Sequence, residues 1–208
     1  MWCVARLDQE YIAPMEDVLK IYENPLSECQ PVVSVDKKPV VLHEDTRPSV
    51  AMRPGQVARR DYEYKRCGTA NVFCGIEPKA GVHFTKVTPR CSSPEFADFL
   101  LQIAEHYPAV DTIHLVMDNL SAHSRKALVD QFGEEAGGWL WERFTVHYTP
   151  KHGSWLNQAE IEISLFSRQC LGKPLIGDVV ALRRQTKAWN QRVNRDQMIS
   201  DNQNSRPH

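Results

Sequence analysis

The apolar and polar positions of the chain fall into short runs whose period changes several times. IAPMEDVLKIYENP has a brief amphipathic helical pattern that stops at Pro25. PVVSVDKKPVVL is rich in Val and predicts the first strand. Residues 43 to 66 are polar, carry two prolines and show little periodicity, so they read as a long loop, functional or disordered. CGTANVFCGIEPKAGVHFTKVT places two β runs around the turn-forming EPKAG and predicts a hairpin. A helix then opens with Ser93 as N-cap and Pro94 at its first position. Phe96, Phe99, Leu100, Ile103 and Ala104 give it a core stripe at helical spacing.

TIHLVMDN predicts a fourth strand ending in polar residues, and Ser121 opens the helix AHSRKALVDQF. GEEAGGWLWER predicts one or two helical turns weakened by Gly137 and Gly138. FTVHYT is the fifth strand, and LNQAEIEISLFSRQCLG is a helix ended by Gly172 and Pro174. DVVALRRQTKAWNQRVNR is a last helix, followed by a polar tail expected to fray. The order of three strands, helix, strand, helix, strand and further helices predicts an α/β fold with a mixed sheet covered by helices. Residues 1–31 read as a leader, 32–195 as one domain and 196–208 as a disordered tail.

Composition narrows the class without naming a function. The 208 residues suit one domain, and 42% apolar with 25% charged residues is ordinary for a globular protein. A net charge of −1 gives no global basic field, so nucleic-acid contacts would have to be local. No apolar run approaches the roughly 20 residues of a membrane span, and MWCVARLDQEYIAP has no signal-peptide core. The six cysteines form no C-x-x-C pair and read as reduced thiols of a cytoplasmic protein.

The candidate chemistry lies in acids beside apolar strands. Asp36 follows VVSV and Asp118 follows HLVM. An unpaired carboxylate against an apolar run is costly. Two of them at the ends of neighbouring strands would repel unless a cation sat between them. Mg²⁺ suits such a site, because it takes one or two carboxylates and keeps waters for phosphate ligands. Strand-end polarity is the plain alternative for each Asp alone. A third acid could be Glu160 or Glu162, in the first turn of the helix after TPKHGSWLNQ. The two point to different sides of that helix, and either can flank the stripe of Ile163, Phe166 and Cys170. Periodicity does not choose between them.

Taken together, SVDKKP, VMDNLSAH and YTPKHGSWLNQAEIEISLFSR resemble the catalytic core of DDE-superfamily transposases, in the bacterial insertion-sequence branch related to mariner elements. The resemblance runs from about residue 30 to 190, and the third motif is its specific part. It implies a ribonuclease-H-like fold, a five-stranded mixed sheet flanked by helices. It implies Asp36, Asp118 and Glu160 as catalytic residues and ligands of two Mg²⁺ ions, or Mn²⁺. Glu160 is preferred over Glu162 because NQAE falls where relatives carry an Asn-Pro-x-acid motif. The implied activity is DNA strand cleavage and strand transfer, with element-end and target DNA as partners, a homodimer as the active form and a bacterial cytoplasm, at the nucleoid, as the location.

Local charge then acquires a meaning. Between Ser164 and Arg195 there are seven basic residues, Arg168, Lys173, Arg183, Arg184, Lys187, Arg192 and Arg195, against one acid, Asp178. Such a stretch can neutralise phosphates or be an ordinary solvated helix face. The long loop adds Arg53, Arg59, Arg60, Lys65 and Arg66. In the hinge, Lys151, His152 and Trp155 are candidates to touch DNA, core packing being the alternative for Trp155. Residues 1–31 do not resemble the helix-turn-helix region of full-length relatives, so a truncated copy is expected. An inactive DNA-binding remnant and another ribonuclease-H-like nuclease stay as alternatives. A zinc protein is disfavoured by the scattered Cys and His.

Overall fold

The computed structural model describes residues 8–47, 53–55, 57, 63–119, 124–172 and 175–204. Arg59, Arg60, Ser121, Lys173 and Pro174 lie outside the described residues. The elements in chain order are α1 (Gln9–Glu23), β1 (Val32–Asp45), β2 (Tyr64–Glu77), β3 (Val82–Thr88), α2 (Ser93–His106), β4 (Ile113–Met117), α3 (Arg125–Phe132), α4 (Glu134–Glu142), β5 (Phe144–Tyr148), a 3-10 turn (Ser154–Leu156), α5 (Ala159–Gln169) and α6 (Val179–Asn204).

The strands form one five-stranded sheet in the order β3-β2-β1-β4-β5. β1 pairs antiparallel with β2 and parallel with β4, and β4 is parallel to β5. The sheet is therefore mixed, as the order of runs predicts. One face is covered by α2, α3 and α4. There Val33, Val35, Leu115 and Met117 meet Phe96, Phe99, Leu100 and Leu128. The α2 stripe read from periodicity is buried in full. The opposite face carries α5 over β1 and β2 and α6 over β3, with Val40, Leu42, Val72 and Cys74 in one cluster with Val87, Phe166, Leu182 and Trp189. Over β4 that same face is covered by α1, through Val18 and Ile21 against Val116 and Leu156. The segment read as a leader thus supplies a packed helix, with the Asp8 side chain accepting from the Tyr11 N–H at its start.

Several boundaries differ from the sequence reading. β1 runs on to Asp45, so Asp36 lies within a strand and not at its end. The cause is its other edge: β2 pairs with it from Ser34 to Asp45, while β4 pairs only with Val32 to Ser34. Lys65 and Arg66 consequently belong to β2 and not to a loop. The cap of α2 is Ser92, one residue earlier than expected. The basic helix α6 runs through Asn204, well past Arg195. Among the described helices none is long and apolar enough to cross a membrane. Cys29, Cys67, Cys74, Cys91 and Cys170 are free thiols.

Candidate active site

The parallel register of β1 and β4 sets Val32 opposite His114, Val33 opposite Leu115 and Ser34 opposite Val116. Asp36 and Asp118 each lie two residues beyond the last pair, Ser34 with Val116. Alternation along each strand also puts both on the same face. Val33 and Val35 point into the α2 side, as do Leu115 and Met117, so Asp36 and Asp118 belong to the side of α1 and α5. The two line different concavities, Asp118 a cleft beside α1 and Asp36 one beside α5. Asp36 is also fixed locally, its Oδ1 accepting from the Lys37 N–H at 2.7 Å.

The hinge begins beside Asp118. The Thr149 N–H donates to the Met117 carbonyl at 3.0 Å, extending the β4–β5 ladder by one step. A tight turn follows, closed by the Gly153 N–H on the Pro150 carbonyl at 2.8 Å. His152 takes the left-handed conformation in it, with φ of 65°, where Gly or Asn is usual. A Cβ at position 153 would sit 2.5 Å from Pro150 Cγ, so the turn admits glycine there. Lys151, His152 and Ser154 line a cleft of about 610 Å³ together with Asp118, Asn119, Tyr148 and residues of α1 including Asp8, Glu10 and Tyr11. Trp155 is 64% exposed. It does not join the core, and its indole N–H donates to the Tyr11 hydroxyl at 3.2 Å.

The chain then enters α5 over β1. Asn157 is buried; its Nδ2 donates to the Val35 carbonyl at 2.9 Å and its Oδ1 accepts from the Ala159 N–H at 3.1 Å. The Tyr22 hydroxyl meets Ser34 Oγ at 2.8 Å and accepts from the Gln158 N–H at 3.4 Å. Burial pushes the Tyr22 phenol up, against the smaller effect of those hydrogen bonds, so it stays protonated at neutral pH.

The two candidate glutamates separate completely. Glu160 is exposed and lines a concavity of about 450 Å³ with Asp36, Lys37, Lys38 and Ser164. Glu162 is 1% exposed and lies on the buried stripe with Ala159 and Phe166. Its Oε1 meets His83 Nδ1 at 2.9 Å, and its Oε2 is buried without a hydrogen-bond partner among the described residues. Burial, and then the charges of Glu162 and Asp36, push the Cys74 thiol far above its ordinary value, which sets both acids near that thiol. Glu162 faces the interior while Glu160 faces the concavity that Asp36 lines.

The basic candidates divide as well. Lys151 and His152 stand in the Asp118 cleft. Arg183 and Lys187 line a different depression, beside Thr85 and Val87 on the edge strand β3, and Arg183 Nε donates to the Val87 carbonyl. Arg184 is exposed on the same helix. Arg183 and Lys187 thus lie at the β3 edge of the sheet, away from the strand that precedes Asp118. Sequence reasoning missed the part played by α1, whose Tyr11 and Tyr22 meet the hinge and whose first turn lines the cleft. Its amphipathic pattern was visible, but nothing local told where it docks.

Among the described residues, no three His, Cys, Asp or Glu side chains are drawn close enough to hold an ion by themselves. The two acids that line one concavity, Asp36 and Glu160, offer hard carboxylate oxygens. They fit Mg²⁺ or Mn²⁺ in the manner that leaves places for water and phosphate, which needs only one or two carboxylates.

One family profile, described as DDE superfamily endonuclease, matches residues 31–183. No curated protein matches the chain in sequence. Among solved structures, the Mos1 mariner paired end complex with Mn superposes with a TM-score of 0.57 at 12% identity, over 92% of this chain and 58% of that one. The Mos1 strand transfer complex gives 0.59 at 13% identity, over 92% and 57%. This chain thus spans under three-fifths of the length of those it matches. At such identities the likeness is one of fold, and that fold is ribonuclease-H-like.

Proposed function

The chain belongs to the DDE superfamily endonuclease family, and on that premise we propose that it is the catalytic core of a transposase that cuts DNA strands and joins them to a target. The observation that carries this reading is that Glu160 and Asp36 line one concavity, and the β1–β4 pairing, which ends at Ser34 with Val116, supports placing Asp118 on the strand next to that of Asp36. Asp36, Asp118 and Glu160 are the residues that would hold Mg²⁺ or Mn²⁺, two ions when the phosphates of DNA complete the coordination. Such ions, when bound, activate an attacking hydroxyl and stabilise the leaving oxygen of a phosphodiester.

The chain's own residues supply position and charge. Asp36 and Asp118 sit on a rigid sheet, which holds them in place without reorganisation when the substrate arrives. Lys151 and His152, on the wall of the Asp118 cleft, contact the sugar-phosphate backbone. Trp155 offers an exposed ring on which an unpaired base can stack. Arg183, Arg184 and Lys187 form a second basic strip at the β3 edge that carries flanking DNA. A homodimer is the proposed active form, as in the resemblance stated above, and a bacterial cytoplasm at the nucleoid the proposed place of action. Glu162 has no part in catalysis in this reading.

The test is a nicking assay on supercoiled plasmid with Mn²⁺, comparing the wild-type chain with Asp36→Asn, Asp118→Asn and Glu160→Gln. Each variant is expected to lose about a hundredfold or more, since a metal ligand contributes several kcal/mol and each 1.36 kcal/mol is tenfold. Equal rates in wild type and Glu160→Gln would remove Glu160 from the site. A second reading, a remnant that binds DNA without chemistry, is favoured by one observation: no closed three-acid cluster is present among the described residues. Gel-shift binding without any nicking in Mn²⁺ would establish that second reading.

A further inference from the structure

The turn that delivers Glu160 is bonded to the strand that carries Asp36 at the residues just ahead of both. Asn157 lies three residues before Glu160, and its Nδ2 donates at 2.9 Å to the carbonyl of Val35, the neighbour of Asp36. Gln158 lies two before Glu160, and its N–H donates to the Tyr22 hydroxyl, which also meets Ser34 Oγ, two before Asp36. Asn157 is 2% exposed and Ser34 fully buried, so water does not compete for these bonds. The local turn into α5 needs only the Asn157 Oδ1, which accepts from the Ala159 N–H. The Nδ2 bond, across more than a hundred residues of sequence, adds nothing to that turn. It ties α5 to β1.

We propose that Asn157 and Tyr22 are positioning residues, which seat Glu160 against Asp36 so that the two carboxylates share a divalent ion. Tyr22 stands on α1, ahead of the residues 31–183 that the family profile matches, so a helix outside that span completes the site. The inference rests on the reading of Asp36 and Glu160 as metal ligands.

The test is metal affinity. Titration calorimetry with Mn²⁺ alone is run on the full chain, on Asn157→Ser and on Tyr22→Phe, with circular dichroism as the check on folding. Asn157→Ser keeps an oxygen that can accept from the Ala159 N–H but cannot reach the Val35 carbonyl. Tyr22→Phe removes one hydroxyl and nothing else. Both folded variants are expected to bind Mn²⁺ about 10- to 100-fold more weakly, the usual loss when a group that orients a metal ligand is removed. The Mn²⁺ concentration for half-maximal plasmid nicking moves by the same factor, with the rate recovered at saturating Mn²⁺. A merely structural role would lower the melting temperature and leave the affinity in place. Wild-type affinity in either folded variant overturns the role of that residue. Asp36→Asn and Glu160→Gln are titrated in parallel. If they too bind as wild type does, the ligand reading fails; if they lose binding while Asn157→Ser and Tyr22→Phe keep it, only the positioning role fails. Should Asn157→Ser not fold, Tyr22→Phe decides the matter.

Discussion

Glu160 and Glu162 are two residues apart and have opposite fates, which stability and activity should report separately. Glu160 is exposed, and its replacement by Ala is expected to change stability by no more than about 0.5 kcal/mol while abolishing Mn²⁺-dependent nicking. Glu162 is buried on the helix stripe and bonded to His83. Glu162→Ala leaves a cavity and an unpaired imidazole, and a loss of about 2–4 kcal/mol is expected by urea denaturation. The reverse pattern, with Glu160→Ala the destabilised one, would contradict the assignment. His152 offers a third test at this scale. A left-handed non-glycine residue costs roughly 1–2 kcal/mol, so His152→Gly should raise the melting temperature by a few degrees while removing a side chain from the cleft wall. The alternation of apolar positions made both glutamates visible. It could not choose between them, because the stripe of α5 has room for one more member and only the seating of α5 on β1 and β2 showed which residue fills it.

At the scale of elements, the two glycines of α4 carry the sharpest contrast. A Cβ at Gly137 would sit 2.4 Å from the Leu128 carbonyl of α3, against backbone that cannot give way. At Gly138 the nearest obstacle is the guanidinium of Arg125, 3.0 Å away and at the end of a flexible side chain. Gly137→Ala is therefore expected to destabilise by about 1–3 kcal/mol, whereas Gly138→Ala should be neutral or gain up to about 1 kcal/mol from helix propensity. Thermal unfolding of the two variants side by side decides this. In the sequence the pair read alike, as two weak points in a short helix. The close approach of α3 and α4, which makes one of them necessary, is a contact between elements. β1 shows the same limit from another side. Its Val-rich run announced a strand, yet the strand extends past Asp36 to Asp45 because β2 supplies partners along its other edge.

Across the whole molecule, a histidine chain joins α1 to the β4–β5 side of the sheet and gives the fold a pH dependence. His147 Nδ1 meets Asp17 Oδ2 at 2.7 Å, and its Nε2 meets His114 Nδ1 at 2.9 Å. Burial, and then His147, lower the His114 pKa from 6.5, with Asp17 opposing; burial lowers that of His106 as well. The unfolded chain then binds more protons just below pH 6.5, so this stability is present above that value and lost as pH falls towards the folded-state pKa. A melting temperature that drops below pH 6.5 in wild type, and drops less in His114→Gln, is the expected result. An identical pH profile in both would exclude His114 as a source.

The sequence by itself determined the succession of elements, the mixed sheet and the candidate acids Asp36, Asp118 and either Glu160 or Glu162, since hydrophobic period and turn chemistry act over a few residues at a time. The third motif added the family, which the profile match to residues 31–183 bears out. Tertiary structure alone decided what depends on partners distant in the chain: the parallel pairing of β1 with β4, the roll of α5 that turns Glu160 outward and Glu162 inward, and the docking of α1 beside the hinge. Those are settled by packing and hydrogen bonds between segments far apart in the sequence, where no local pattern reaches.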